Sequence, residues 1–156
     1  IESILLFVRK SYRLSYLKFL LDLQIITKKE CGNLLAGTWS SIEVINHDCN
    51  VKKSTILDWI KSADKSAIMN DEDYEIYNNF DDEVVIYRGC TNNNIKGLSW
   101  SIDYEIAKKF ATRFMREDSY VYKATINKKY IVAYLNDRNE REVIVDYKGL
   151  NEITQL

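Results

Sequence analysis

The chain contains no proline and only one histidine, His47, and its three cysteines, Cys31, Cys49 and Cys90, stand far apart. A single imidazole cannot supply a mechanism or a metal site that needs two. No C-x-x-C pair occurs, so neither a zinc knuckle nor a disulfide framework is indicated, and reduced thiols in a cytosolic protein are the simplest reading. His47 paired with Cys49 or Cys90 stays open as a nucleophilic couple, but His47 reads better as a turn or surface residue. G-x-G-x-x-G and G-x-x-x-x-G-K-[ST] are both missing, which argues against a Rossmann cofactor fold and a P-loop. The G-x-S-x-G elbow of the α/β-hydrolases is missing too.

Long uncharged apolar runs are also lacking. Ile1–Leu23 is apolar, but Arg9, Lys10, Arg13, Lys18 and Asp22 interrupt it, so it reads as neither a membrane span nor a signal h-region. The first residue is Ile1 rather than Met, which points to a trimmed or processed start. Neither sign of charge dominates: 22 basic residues against 23 acidic ones give a net charge of −1. Nothing therefore draws the whole chain to nucleic acid or anionic lipid, and such binding would need a local patch.

What is present is an ordinary globular mixture, 46% hydrophobic and 29% charged over 156 residues, long enough for one domain with a real core. Leu5, Val8, Tyr12, Tyr16, Phe19 and Leu23 recur every three or four residues and predict an amphipathic helix with that face buried. Residues 31–47 are irregular. Helices are expected over Ser54–Ser62, with Ile56, Leu57 and Ile60 inward, and over Asp71–Tyr77. The acidic residues between Asp71 and Glu83 read as a solvated face.

After Asp82 the texture changes. Val84–Tyr87 reads as a buried strand ended by Arg88 and Gly89, followed by a polar loop, Cys90–Lys96. Ile106, Ala107, Phe110, Ala111 and Phe114 line one face of a helix whose first turn holds Asp103 and Glu105. Tyr120–Ile126 and Tyr130–Tyr134 are strands separated by a turn at Asn127–Lys129. Leu135–Asn139 is a polar loop, and Glu140–Asp146 is the last strand expected. Helices first and strands after, with no repeat and no linker, read as α+β.

Three segments of the β half can carry chemistry. Arg88, at a strand end, offers a rigid fork of donors to a phosphate, and Gly89 lets a ligand approach the backbone. On its own, an arginine there is more often a surface salt-bridge residue. In Ser99-Trp100-Ser101, strand alternation puts both hydroxyls on one face and the indole on the other. The plainer account has Ser101 capping the next helix and Trp100 filling the core. In Glu140-Arg141-Glu142, period two puts two carboxylates on one face, a costly arrangement unless a cation or ligand uses it. An exposed edge strand would explain that pair as well.

Taken together, in this order, the three segments resemble the Arg–Ser–Glu class of mono-ADP-ribosyltransferases. The resemblance spans Val84 to Val145, and the helix after the serine segment strengthens it. Trp100 departs from the threonine usual in the family; it is tolerated if it points into the core and obstructs nicotinamide if it lines the cleft. The absence of a histidine at the position of Arg88 separates the chain from the His–Tyr–Glu relatives.

The resemblance implies a split β core within one domain over residues 1–156, with a helical lobe over residues 1–79 and an NAD-binding core over residues 84–150. It implies NAD as substrate and no metal. Arg88 would hold the NAD phosphates, and the Gly89 backbone would meet the nicotinamide carboxamide. Ser99, Trp100 and Ser101 would line the NAD site, with Ser99 orienting Glu142. Glu142 would bind the nicotinamide ribose and stabilise the cation formed as nicotinamide leaves. Glu140 would engage the acceptor, arginine where a glutamate stands here. Leu135–Asn139 would be the loop that meets the acceptor protein, with Tyr134 and Arg138 as its contacts. Small transferases of this look are often phage effectors or bacterial toxins acting on a host protein, here expected in the cytoplasm. An NAD glycohydrolase and a catalytically dead binding or inhibitor module are the alternatives.

Overall fold

The computed structural model of the chain describes residues 2–41, 51–113 and 118–156; His47, Cys49 and Phe114, singled out above, lie outside them. The chain divides into two units, Ile1–Ile68 and Met69–Leu156. The helical part thus ends before residue 79, because helix α6 (Asp71–Asn78) packs on a strand of the sheet and belongs with it.

The described part of the first unit carries five α-helices: α1 (Glu2–Phe7), α2 (Arg13–Asp22), α3 (Lys28–Thr38), α4 (Lys53–Ser62) and α5 (Lys65–Ile68). A reciprocal cap starts α3: the Thr27 hydroxyl accepts the Glu30 N–H, and the Glu30 carboxylate accepts the Thr27 N–H. The expected inward face of α4 forms, with Ile56, Leu57, Trp59 and Ile60 buried. α3 and α4 cross closely at Gly32, where a Cβ would lie 2.3 Å from the Trp59 carbonyl oxygen.

The single N-terminal helix expected over Leu5–Leu23 does not form. Extended backbone at Arg9 and a 3-10 turn at Lys10–Tyr12 separate α1 from α2. The buried stripe of α2 is Leu14, Leu17 and Leu20, while Tyr12, Phe19 and Leu23 are exposed. Apolar residues occur on more than one face of this segment, and tertiary packing selects among them.

The second unit is built on a six-stranded antiparallel sheet, so the α+β expectation holds. Its strands are β1 (Glu83–Thr91), β2 (Ser99–Ser101), β3 (Ser119–Asn127), β4 (Ile131–Leu135), β5 (Glu142–Val145) and β6 (Leu150–Gln155), in the order β4-β5-β2-β1-β3-β6. β1 runs on through Thr91, so Arg88 and Gly89 lie inside a strand rather than at its end. It is also only partly buried, Val85 being 41% exposed. β6 was not expected: it extends the sheet beyond β3, and β5 is not the last strand.

The sheet is divided. β1 pairs with β3 along its whole length, from Glu83↔Asn127 to Thr91↔Ser119, but with β2 at the single position Tyr87↔Ser101. The strands therefore form two halves, β4-β5-β2 and β1-β3-β6. One face carries the core, including Ile86, Trp100, Tyr122, Ala124, Val143 and Val145. On the other, helix α7 (Tyr104–Thr112) lays Ala107 and Ala111 beside Val121 and Tyr87. Asp103, not Ser101, caps α7, its carboxylate accepting the N–H groups of Glu105 and Ile106 at 2.9 and 3.2 Å. Among the described residues, no helix is long and apolar enough to cross a membrane.

Candidate active site

The pairing of β1 with β2 stops at Tyr87↔Ser101, and Arg88 is the next residue of β1 at that split in the ladder. Its Nε–H donates to the Asn94 carbonyl at 3.1 Å, and an Nη1–H donates to the Ser99 carbonyl. The guanidinium lies flat on Gly97, where a Cβ would come within 2.3 Å of Nη2. Any side chain at residue 97 would displace it, so the loop after β1 is shaped to the arginine. Asn94 and Gly97 were not singled out in the sequence; a lone glycine in a polar loop gives no sign that it holds a cation.

Glu142 opens β5 and is 8% exposed. It sits across from Ser101 on one side and Leu135 on the other. Burial pushes the Arg88 guanidinium pKa down, while the neighbouring Cys90 and the Glu142 carboxylate pull it up. The same burial pushes the Cys90 thiol up, opposed by Arg88. Strand alternation puts Arg88 on the core face with Ile86 and Cys90, and puts Glu142, in register with Ser101 and Tyr87, on the α7 face; the charge of Glu142 is the smallest of the influences on Arg88.

Ser101 lies opposite Glu142, and Ser99 lies opposite Ile144. The expected pairing of Ser99 with Glu142 is thus shifted by one alternation. Ser99 instead contributes the carbonyl that holds Arg88. The Ser101 hydroxyl donates to the Glu140 carbonyl at 2.8 Å and accepts the Asp103 N–H at 3.0 Å. It fixes the corner that delivers β5 rather than the carboxylate itself.

That corner also separates the two glutamates. Arg141 has a φ of 45°, in the left-handed region, so Glu140 precedes the strand and does not share a strand face with Glu142. The period-two reading assumes extended backbone through both residues, and Arg141 breaks it. Its N–H donates to the Asn136 side-chain oxygen, and its carbonyl accepts the Ile102 N–H. Glu140 is half-buried and pairs with the Arg138 guanidinium at 2.8 Å.

Three expected contacts are corrected. Trp100 is not open to a ligand: alternation turns its indole to the core face, where it is buried and donates to the Gly97 carbonyl at 3.1 Å. Gly89 is not an open approach for a ligand on the α7 face of the sheet, because α7 already occupies it. A Cβ there would lie 1.9 Å from the Ala107 carbonyl oxygen and 2.4 Å from the Ala111 nitrogen. Tyr134, 2% exposed, packs edge-on against Phe80 in the core and cannot reach an acceptor protein. Arg138 does lie exposed on the loop assigned to it.

Among the described residues, no group of three or more His, Cys, Asp or Glu side chains is arranged to hold a metal ion. Compared with protein-family models, with curated proteins and with solved structures, the chain matches none of them.

Proposed function

We propose that the protein is a mono-ADP-ribosyltransferase that moves ADP-ribose from NAD to a protein side chain, arginine by the identity of Glu140, and releases nicotinamide. What supports the reading is an arginine on β1 and a buried carboxylate on β5, the two strands that flank β2. An arginine fork and a buried carboxylate are the two groups that a dinucleotide bearing a cationic leaving group requires.

Arg88 now rests its donors on two neutral carbonyls. A pyrophosphate would replace them with charged acceptors, and charge-assisted hydrogen bonds are about twice as strong as neutral ones. Glu142, fixed at the head of β5, would face the ribose carbon that bears nicotinamide. As that C–N bond breaks, the bonding pair leaves with nicotinamide and the ribose becomes an oxocarbenium-like cation. A preorganised carboxylate stabilises such charge as it develops. The acceptor guanidine nitrogen then forms the new C–N bond, and its proton passes to Glu140 or to solvent.

One observation favours the hydrolytic alternative: the Glu140 carboxylate is already engaged by Arg138. With Glu140 occupied, water becomes the default acceptor and the same cleft would act as an NAD glycohydrolase.

Incubation with biotin-tagged NAD and a bacterial lysate, beside a folded Glu142→Ala control, tests the proposal. Labelled protein bands that vanish in the control are the expected result. Nicotinamide release without a band favours the glycohydrolase. A wild-type protein that neither binds NAD nor releases nicotinamide rules out both.

A further inference from the structure

Two residues before Glu142, the corner at Arg138–Glu140 and the face of α7 enclose an open groove of about 520 Å³. Ile106 and Phe110 give it an apolar stripe, Lys109, Arg113 and Arg138 give it cations, and Glu140 contributes a carboxylate. The balance among these described residues is positive, in a chain whose overall charge is −1. This is a local basic patch with an apolar side, next to the residue assigned to the acceptor.

Building on the transferase reading, we propose that this groove docks an acidic, apolar-bearing extended segment of the acceptor protein, and that the segment's carboxylates draw Arg138 away from Glu140. The spacing suits such an occupant. Lys109 and Arg113 stand one helical turn apart, with Cβ atoms about 5–6 Å from each other. Same-side residues of an extended peptide repeat every ~7 Å, so alternate acidic residues meet both cations. Ile106 and Phe110 form a neighbouring stripe at the same spacing and take the peptide's apolar side chains.

The Arg138–Glu140 pair makes the groove a switch as well as a dock. Both side chains are partly exposed, and an exposed ion pair is weak enough for an incoming carboxylate to compete. Once Arg138 turns to the docked segment, Glu140 can receive the acceptor guanidinium. Docking and acceptor choice are then coupled without any movement of Glu142. A nucleic acid fits less well: a phosphate backbone has nothing to lay on Ile106 and Phe110.

Fluorescence anisotropy tests the groove. The probes are a labelled alternating Glu-Leu peptide, an alternating Lys-Leu peptide and a single-stranded DNA oligonucleotide of similar length. The variants are K109Q/R113Q and K109E/R113E, each checked for wild-type thermal unfolding; the neutral pair covers the case in which glutamate at the end of α7 impairs folding. The Glu-Leu peptide should bind the wild type, weaken about tenfold in the neutral variant and further in the reversed one, and the Lys-Leu peptide should not bind. The Glu-Leu peptide should also raise ADP-ribose transfer to free arginine. Equal binding to wild type and variants, no binding of the Glu-Leu peptide, or tighter binding of the DNA overturns the proposal. Charge-dependent peptide binding by a wild type that releases no nicotinamide would instead sink the transferase reading and leave the groove without its acceptor role.

Discussion

β1 has two very different neighbours. Toward β3 its register runs unbroken from Glu83↔Asn127 to Thr91↔Ser119; toward β2 it makes one pair, Tyr87↔Ser101. The continuous side is filled architecture, with Ile86, Ala124 and Ile126 buried on one face and α7 pressed on the other. The interrupted side gathers Arg88, Ser99, Ser101 and Glu142, polar groups that a closed ladder would have no reason to bury. Where the β1–β2 ladder stops, an arginine and a buried carboxylate stand on the strands either side of β2, and that is where the chemistry is proposed.

The sharpest way to break the closed side is Gly89→Ala. Its Cβ would meet backbone atoms of α7, which cannot yield as a flexible side chain could. A loss of about 3 kcal/mol is expected from urea unfolding, at the upper end for overpacking. A loss below ~1 kcal/mol would mean that α7 can lift off β1 freely.

On the open side, Ser101→Ala removes the hydroxyl that holds the Glu140 carbonyl and the Asp103 N–H. A cost of about 1–2 kcal/mol is expected, with nicotinamide release falling in kcat more than in KM, because β5 and Glu142 lose their anchor. An unchanged kcat would show that the corner does not position Glu142.

Asp73, on α6, probes the outer edge of the β4-β5-β2 half. Burial raises its carboxyl above the usual carboxylate range, opposed by the Asn136 N–H and seconded by Asp137 and Glu72. The folded chain therefore keeps this proton to higher pH than the unfolded chain does. The Asp73 contribution to stability is full at low pH and is lost as pH rises from the ordinary carboxylate value through the raised one. Asp73→Asn keeps an oxygen for the Asn136 N–H, so it should flatten that fall and raise the melting temperature at pH 7. A melting curve series from pH 4 to pH 7 checks it.

The smallest effect is a control away from both sides. Gly37 is exposed in α3 with nothing within 4 Å of its Cβ position, so Gly37→Ala should stabilise by roughly 0.5–1 kcal/mol. Its sign is opposite to that of Gly89→Ala, although both add the same methyl group.

Much of this was legible in the residues. α4, α6, α7, β3 and β4 lie where periodicity and turn chemistry put them, and Arg88, Ser101 and Glu142 stand on the neighbouring strands β1, β2 and β5. What was not legible depends on tertiary partners or on single torsions. The face of α2 could not be chosen because both stripes are apolar. β6 was missed because Leu150-Asn-Glu-Ile-Thr-Gln is an edge strand with little apolar pattern. Glu140 was put on the strand because alternation cannot reveal a left-handed Arg141. Gly89 looked like a place for a ligand, yet a glycine in a strand can equally mark the close approach of a helix.

The central claim is that Glu142 acts on the leaving nicotinamide while Glu140 acts only on the acceptor. Nicotinamide release by wild type, Glu142→Gln and Glu140→Gln, with and without free arginine, tests it most directly. The account predicts a loss of ~10²–10³-fold for Glu142→Gln under both conditions. Glu140→Gln should keep the water reaction and lose the arginine-dependent increment. Wild-type release by a folded Glu142→Gln variant would contradict the assignment.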